Sequence, residues 1–191
     1  MIRKIINFIN NLINNYNIKK QQIEIEKSYK FNGILYIRNF GKINIGKNFK
    51  ATSGKNYNPI GGDTILRIIC RKDATISIGD NVGISNTTLH IMNSLIIEDN
   101  VLIGGGCKIW DTDFHSIDYK ERNYNGDNKI ISKAIHIKKN AFIGASSIIL
   151  KGVTVGENSI VGAGSVVTKT IPDNEIWGGN PAKKIKGIIN E

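Results

Sequence analysis

Very little in this chain can cross-link it or hold a metal. Its 191 residues include two cysteines, three histidines and three prolines. Cys70 and Cys107 share no metal-type spacing and cannot frame a disulfide scaffold, so a reducing, cytoplasmic setting is the expectation. His90, His115 and His136 are 25 and 21 residues apart. That is not the close ligand spacing a three-histidine zinc hydrolyase needs, and no metal is expected. Acids are scarce at one end: residues 1–50 carry ten Lys or Arg against Glu24 and Glu26, which is +8 of the chain's formal +10. Such a balance suits nucleic acid, an anionic membrane surface or a phosphorylated small molecule. Aromatics do not interleave with the basic residues, and no nucleic-acid-binding motif is present, so nucleic acid is excluded as the expected partner.

Long apolar runs are also missing. Nothing approaches the ~18 residues of a membrane span, and the first twenty residues lack the apolar core and cleavage site of a secretion signal. They do place Ile2, Ile5, Ile6, Ile9, Leu12, Ile13 and Tyr16 at helical spacing, with Asn and basic residues opposite. The favoured expectation is a short amphipathic helix packed on its own protein or on a sister subunit. A peripheral membrane anchor, or contact with a partner enzyme such as a glycosyltransferase through residues 1–20, is the alternative.

What the sequence has in plenty is a repeat. Ile91, Ile97, Ile103 and Ile109 recur every six residues, as do Ile137, Ile143, Ile149, Val155, Val161 and Val167. Four positions after each of these the residue is usually small: Ala141, Ser147, Val153, Ser159, Ser165. Six residues turn an α-helix through about 600°, so a helix cannot keep such a stripe on one face. Regular hairpin turns are absent. A period of six fits a coil of three short flat faces, aliphatic residues inward and small ones at the corners, stacked so that backbones pair between coils. Cys107 falls in the small position and reads as a packing residue. An earlier block around Ile78 and Ile84 keeps the pattern until one extra residue shifts its phase before Ile91, and "INIGKNF" near Ile43 is its last echo. Residues 52–64, "TSGKNYNPIGGDT", read as a loop. The expected organisation is a helical cap at 1–40, coils over 41–171 and a C-terminal cap at 172–191.

The repeat breaks once. From Ile109 to Ile137 is 28 residues where six would do, so 22 must leave the coil and return. This excursion, about 111–134, opens with "DTDFHSID". Long excursions from a rigid scaffold carry function or are disordered, and aromatics with alternating charge argue for order. His90 and His136 each precede a core isoleucine and should point outward as solvated side chains.

"IGGGCKIWDTDFHSID", the hexapeptides that follow it and the closing "GNPAKKIK" together resemble the hexapeptide-repeat acyltransferases, in particular the maltose, galactoside and cell-surface-polysaccharide O-acetyltransferases. The resemblance covers about Ile76 to Lys186. It implies an all-β, left-handed parallel β-helix, a homotrimer with active sites between subunits, acetyl-CoA as acyl donor and a sugar hydroxyl as acceptor. It also implies His115 as the general base, a role suited to neutral imidazole. Asp113, two residues earlier, is the first candidate to hold its tautomer; Asp111 and Asp118 are others and could contact substrate. Asn86 in "GISNTT" would contact acceptor or histidine, or serve only as a corner residue. The Ala145 N–H, or less so that of Ser146, would meet the thioester oxygen. Phe142, Ala145, Gly162, Ala163, Thr168, Lys169, Lys183 and Lys186 match the positions that line coenzyme A, with Phe142 departing from relatives that have Trp there. Two other readings share the scaffold: N-acetylation of a nucleotide-linked amino sugar, and a non-catalytic β-helix.

Overall fold

The computed structural model describes residues 2–188 and is built from one device, the corner. Ahead of a final hairpin, strands of two to four residues alternate among three sheets, so the chain turns after each strand and rejoins the first sheet after three turns. The first sheet runs Glu24–Ile25, Lys42–Ile45, Thr75–Ile78, Ser94–Ile97, Ile135–Ile137 and Thr154–Val155. The second runs Tyr29–Asn32, Phe49–Thr52, Gly83–Ser85, Leu102–Ile103, Phe142–Ile143 and Ile160–Val161, then adds Glu175–Gly179 and Ala182–Gly187. The third runs Tyr36–Asn39, Arg67–Cys70, Thr88–Ile91, Lys108–Trp110, Ile148–Ile149 and Val166–Val167. Every neighbouring pair is parallel except the final hairpin, and the whole is a left-handed parallel β-helix.

Inside, three aliphatic columns rise through the coils. In the first sheet Ile78 sits beneath Ile97, Ile97 beneath Ile137, and Ile137 beneath Val155. All four are buried. Each fully buried side chain of this size contributes about 1.5–3 kcal/mol of apolar transfer. The third column departs from the simple count of six, because Ile109 stacks on Leu89 rather than on Ile91. Ile91 is a second inward residue of the same strand, paired with Cys70. Both cysteines are buried thiols whose pKa burial pushes up, consistent with packing rather than reactivity.

Parallel pairing begins at Glu24, ahead of the boundary expected at residue 41, because the first coil is polar enough to hide the repeat. The C-terminal cap is the antiparallel hairpin, which covers the last edge of the second sheet.

One corner carries a feature that periodicity did not announce. Between the first and second sheets Asn48, Asn81, Asn100, Asn140, Asn158 and Asn174 all adopt positive φ, from 57° to 60°. Asparagine tolerates this left-handed conformation better than other residues with a Cβ. Each side-chain amide donates to the next carbonyl oxygen at 2.9–3.2 Å, making a continuous asparagine ladder along the coil axis.

The N-terminal helix, α1 (Ile2–Lys20), is present and packs on its own protein, but through its asparagine face. Its buried residues are Asn10, Asn14 and Ile18, while Ile2, Ile5, Ile9 and Leu12 are exposed. The open first coil presents backbone groups rather than apolar side chains, and asparagine satisfies them. Asn14 Nδ2 donates to the Gly33 carbonyl at 2.9 Å, and Asn14 Oδ1 accepts from Leu35 N–H at 3.0 Å. Asn10 donates to the Tyr57 hydroxyl at 3.1 Å.

Replacing Asn100 tests the ladder. Asn100→Ala loses two side-chain hydrogen bonds and leaves a Cβ residue at positive φ, a cost of about 1–3 kcal/mol. At about 2–4 °C per kcal/mol for a domain of this size, thermal denaturation should show the midpoint falling by roughly 2–12 °C. Asn100→Gly removes the backbone part and should recover about half of the loss. Equal midpoints for Ala and wild type would mean that the ladder contributes nothing.

Candidate active site

The 22-residue excursion leaves from the corner between the third and first sheets, and its stem is fixed by a buried carboxylate. Asp111 accepts backbone N–H donors from Met92 at 2.7 Å, Asn93 at 2.7 Å and Ser94 at 2.9 Å, and is fully buried. It therefore closes the corner of the coil below and cannot reach a substrate, which corrects its assignment as a substrate-binding residue. The two arms then pair: Lys133 N–H donates to the Asp111 carbonyl at 2.8 Å, Asp113 N–H to the Ile131 carbonyl at 3.1 Å, and Thr112 bridges Ser132.

Beyond the stem the chain turns sharply. Phe114 has φ +62° and drops its ring edge-on against Trp110 and His90, with centroids 5.5 and 4.9 Å away. His90 is thus half covered by the loop rather than freely solvated, and burial, with Arg71 nearby, pushes its pKa down. His136 does point outward, but its Nε2 is 2.6 Å from Glu98 Oε1.

With Phe114 anchored inward, His115 is thrown outward, its side chain 72% exposed. Its Nδ1 lies 2.6 Å from Asp127 Oδ2, and Asp127 Oδ1 accepts the Ser116 N–H at 2.6 Å. One carboxylate therefore fixes both the ring and the backbone beside it. Those two donors, Ser116 N–H first, hold the Asp127 carboxyl below its ordinary range. A charged carboxylate at Nδ1 requires the proton there and leaves Nε2 as the free acceptor.

Asp127 was not among the expected partners. Asp113, the first candidate, instead meets the Lys151 ammonium, and its Oδ2 is buried without a partner. Asp118 caps the short helix α2 (Tyr119–Tyr124), accepting the Lys120 N–H at 2.9 Å. Neither carboxylate bonds to His115. Twelve residues separate His115 from Asp127, and the turn formed by Asn125, Gly126 and Asp127 that returns the chain after α2 was the only sequence signal for the partner. Arg122 completes the fold of the tip by donating to the Ser116 and Ile117 carbonyls at 2.6 and 2.8 Å.

The expected donor and coenzyme positions are spread over other parts of the surface. Ala145, Gly162 and Ala163 share the corner between the second and third sheets, on consecutive coils. A Cβ on Gly144 would come within 2.5 Å of the Ala163 nitrogen, so coil stacking demands glycine there. A Cβ on Gly162 would make only ordinary contact, and one on Gly164 would meet nothing within 4 Å, so this edge is a bare strip of backbone. The Ala145 N–H has no acceptor among the described residues. Phe142 is 43% exposed on the outer face of the second sheet, beside Leu102. Thr168 and Lys169 lie on the opposite edge of the third sheet, and Lys183 and Lys186 on the final hairpin, all exposed.

Asn86 lies at the start of the bare edge but is fully buried. Its Oδ1 accepts the Gly54 N–H at 2.7 Å and its Nδ2 donates to the Asn58 carbonyl at 2.8 Å, fastening the 52–64 loop to the coil. It is a corner residue, and both its amide atoms are committed. Among the described residues no three His, Cys, Asp or Glu side chains cluster as a metal site.

Comparison with known proteins follows the same lines. The family model for the hexapeptide repeat of succinyl-transferase matches residues 94–109 and 135–169, on either side of the excursion. The chain therefore carries the hexapeptide repeat and is similar to hexapeptide-repeat acetyltransferases. Among solved structures, a Bacillus cereus gene product provisionally named an acetyltransferase is 27% identical, with 90% of this chain and 81% of that one covered and a TM-score of 0.63. A maltose O-acetyltransferase from Clostridium difficile is 26% identical over 98% of this chain and 87% of that one, TM-score 0.59. A hexapeptide-repeat acetyltransferase from Vibrio cholerae, solved with acetyl coenzyme A, is 22% identical with the same coverage and a TM-score of 0.58, a likeness of fold. No curated protein matches the sequence.

The Asp127 contact generates a pH-dependent prediction. A carboxyl held below its unfolded value adds stability that is complete above the ordinary carboxylate pKa of 3.8 and is lost as pH falls through the lower folded value. Asp127→Asn should therefore melt at a lower temperature than wild type at pH 7, and the gap between the two should close as pH falls below the ordinary carboxylate range. Parallel curves across that range would show that the carboxylate's charge is not what holds the loop.

Proposed function

We propose that this protein is an acetyl-CoA-dependent O-acetyltransferase acting on a sugar hydroxyl, in the assembly of cell-surface polysaccharide, with His115 as general base. The observation that carries the proposal is the outward imidazole whose Nδ1 is held by Asp127, because that arrangement leaves Nε2 free to take a proton. The 26% identity to a maltose O-acetyltransferase supports a sugar hydroxyl as the acceptor.

Coenzyme A supplies an acyl group activated as a thioester. The bare edge at Ala145, Gly162 and Ala163 fits a long, thin ligand that must lie against backbone, and it has no side chains in the way. Phe142, Thr168, Lys169, Lys183 and Lys186 would hold the rest, the lysines as point charges for phosphate groups. His115 Nε2 takes the proton as the acceptor oxygen attacks the carbonyl carbon. The Ala145 N–H is free to donate to the oxygen that becomes negative. When the carbon–sulfur bond breaks, His115 returns its proton to the leaving thiolate, so ester and thiol form with no net change in the protein. Asp127 stays charged throughout and stabilises the transient imidazolium.

The His115 loop and the bare edge flank opposite sides of the third sheet within one chain. Two chains side by side bring one copy's loop to another copy's edge, and three close a ring, so the proposal includes a homotrimer with shared sites.

Two measurements test this reading. Coenzyme A at about 100 times its dissociation constant should stabilise the protein by roughly 2.7 kcal/mol, a midpoint rise of about 5–10 °C, with adenosine as the control. His115→Ala should keep that shift yet lower the rate of acetyl transfer to a maltose, galactoside or polysaccharide-repeat acceptor by about 10²–10⁴. No shift with coenzyme A at millimolar concentration would sink the acyltransferase proposal. Turnover confined to an amino-sugar acceptor would replace O- by N-acetylation.

A further inference from the structure

Helix α1 spends its polar face on its own protein and leaves its apolar face to the outside. Asn10 and Asn14 turn inward to Tyr57 and to the backbone of Gly33 and Leu35. The opposite side carries Ile2, Ile5, Phe8, Ile9, Leu12 and Tyr16, with Ile2 74% and Phe8 65% exposed. The orientation is not free to invert, because Asn14 alone satisfies two backbone groups of the first coil. A contiguous apolar stripe about four turns long, rigidly displayed, marks an interaction surface rather than scattered exposure.

The charges around the stripe identify the partner. Arg3 and Lys4 stand at one end of the helix and Lys19 and Lys20 at the other, with no acidic residue between. Lys20 Nζ lies 5.8 Å from the centre of the Tyr16 ring, at the border of the stripe. Pairing this helix with the same helix of a second copy would bring only positive charges together, whether parallel or antiparallel. An anionic lipid surface offers what both features need, an apolar layer for the stripe and negative headgroups for its basic ends. No helix among the described residues is long and apolar enough to cross a membrane, so the geometry is that of a helix lying in the interface.

We infer that α1 docks the protein on anionic membrane surfaces, apolar face down, holding the coils above the bilayer. Co-sedimentation of the full chain with vesicles tests this. The wild type should partition onto phosphatidylcholine vesicles containing about a third phosphatidylglycerol at least tenfold better than onto phosphatidylcholine alone, since each engaged basic residue is worth about fivefold. Raising salt from about 0.1 to about 0.5 M should release much of it. The variant I5Q/I9Q/L12Q changes only exposed side chains, so it should melt like wild type and lose the binding. Failure of the wild type to bind anionic vesicles, or unchanged binding of the triple variant, overturns the inference. So does a lipid-free ultracentrifugation result in which wild type is a larger oligomer than the triple variant, which would assign the stripe to a sister copy.

Discussion

Everything in this molecule depends on its corners recurring at the same place. A parallel coil keeps its aliphatic columns in register only if each strand starts at the same place, so any extra residues must leave at a corner. A slip of one would move every inward side chain to the outside. The turns meet that demand through left-handed backbone: six stacked asparagines at one corner, and Asn86, Gly106, Ser146 and Gly164 at the next. The asparagines add a ladder of amide hydrogen bonds, so the conformation that turns the chain also ties one coil to the next.

The remaining corner takes the longest insertion, the loop that carries His115. Neighbouring carboxylates in this loop make different contacts. Asp111 is buried under three backbone donors and Asp113 meets Lys151, which makes the stem rigid. Phe114, seated against Trp110 and His90, sets the direction in which the next residue points. Only then does Asp127 act on an imidazole that stands in solvent. A histidine at the tip of a mobile loop would spend most of its time elsewhere; here the loop's own packing pre-sets it.

The same economy shows at the N-terminus. The first coil has no predecessor, and its unpaired backbone is met by the asparagine face of α1 rather than by another strand. Covering the edge in this way protects it from adventitious pairing and leaves an apolar surface exposed on the far side of the helix.

The period of six, the inward residues from Ile78 to Val167, the excursion after Ile109 and the prominence of His115 are all legible along the chain. Inward aliphatics in a stacked coil face a repeating environment, and repetition is legible along a single chain. The phase near Leu89 and the early start at Glu24 were hidden because the first coils vary in length and mix polar residues into the repeat. Which carboxylate holds His115, that Asp111 and Asn86 are buried in corner hydrogen bonds, and which face of α1 turns inward emerge only from packing in three dimensions. Asp127 is distant along the chain and comes near only through α2, and an amphipathic pattern states that two faces differ without stating which one the neighbour needs. That choice belonged to the open backbone of the first coil, which wanted hydrogen bonds more than it wanted apolar contact.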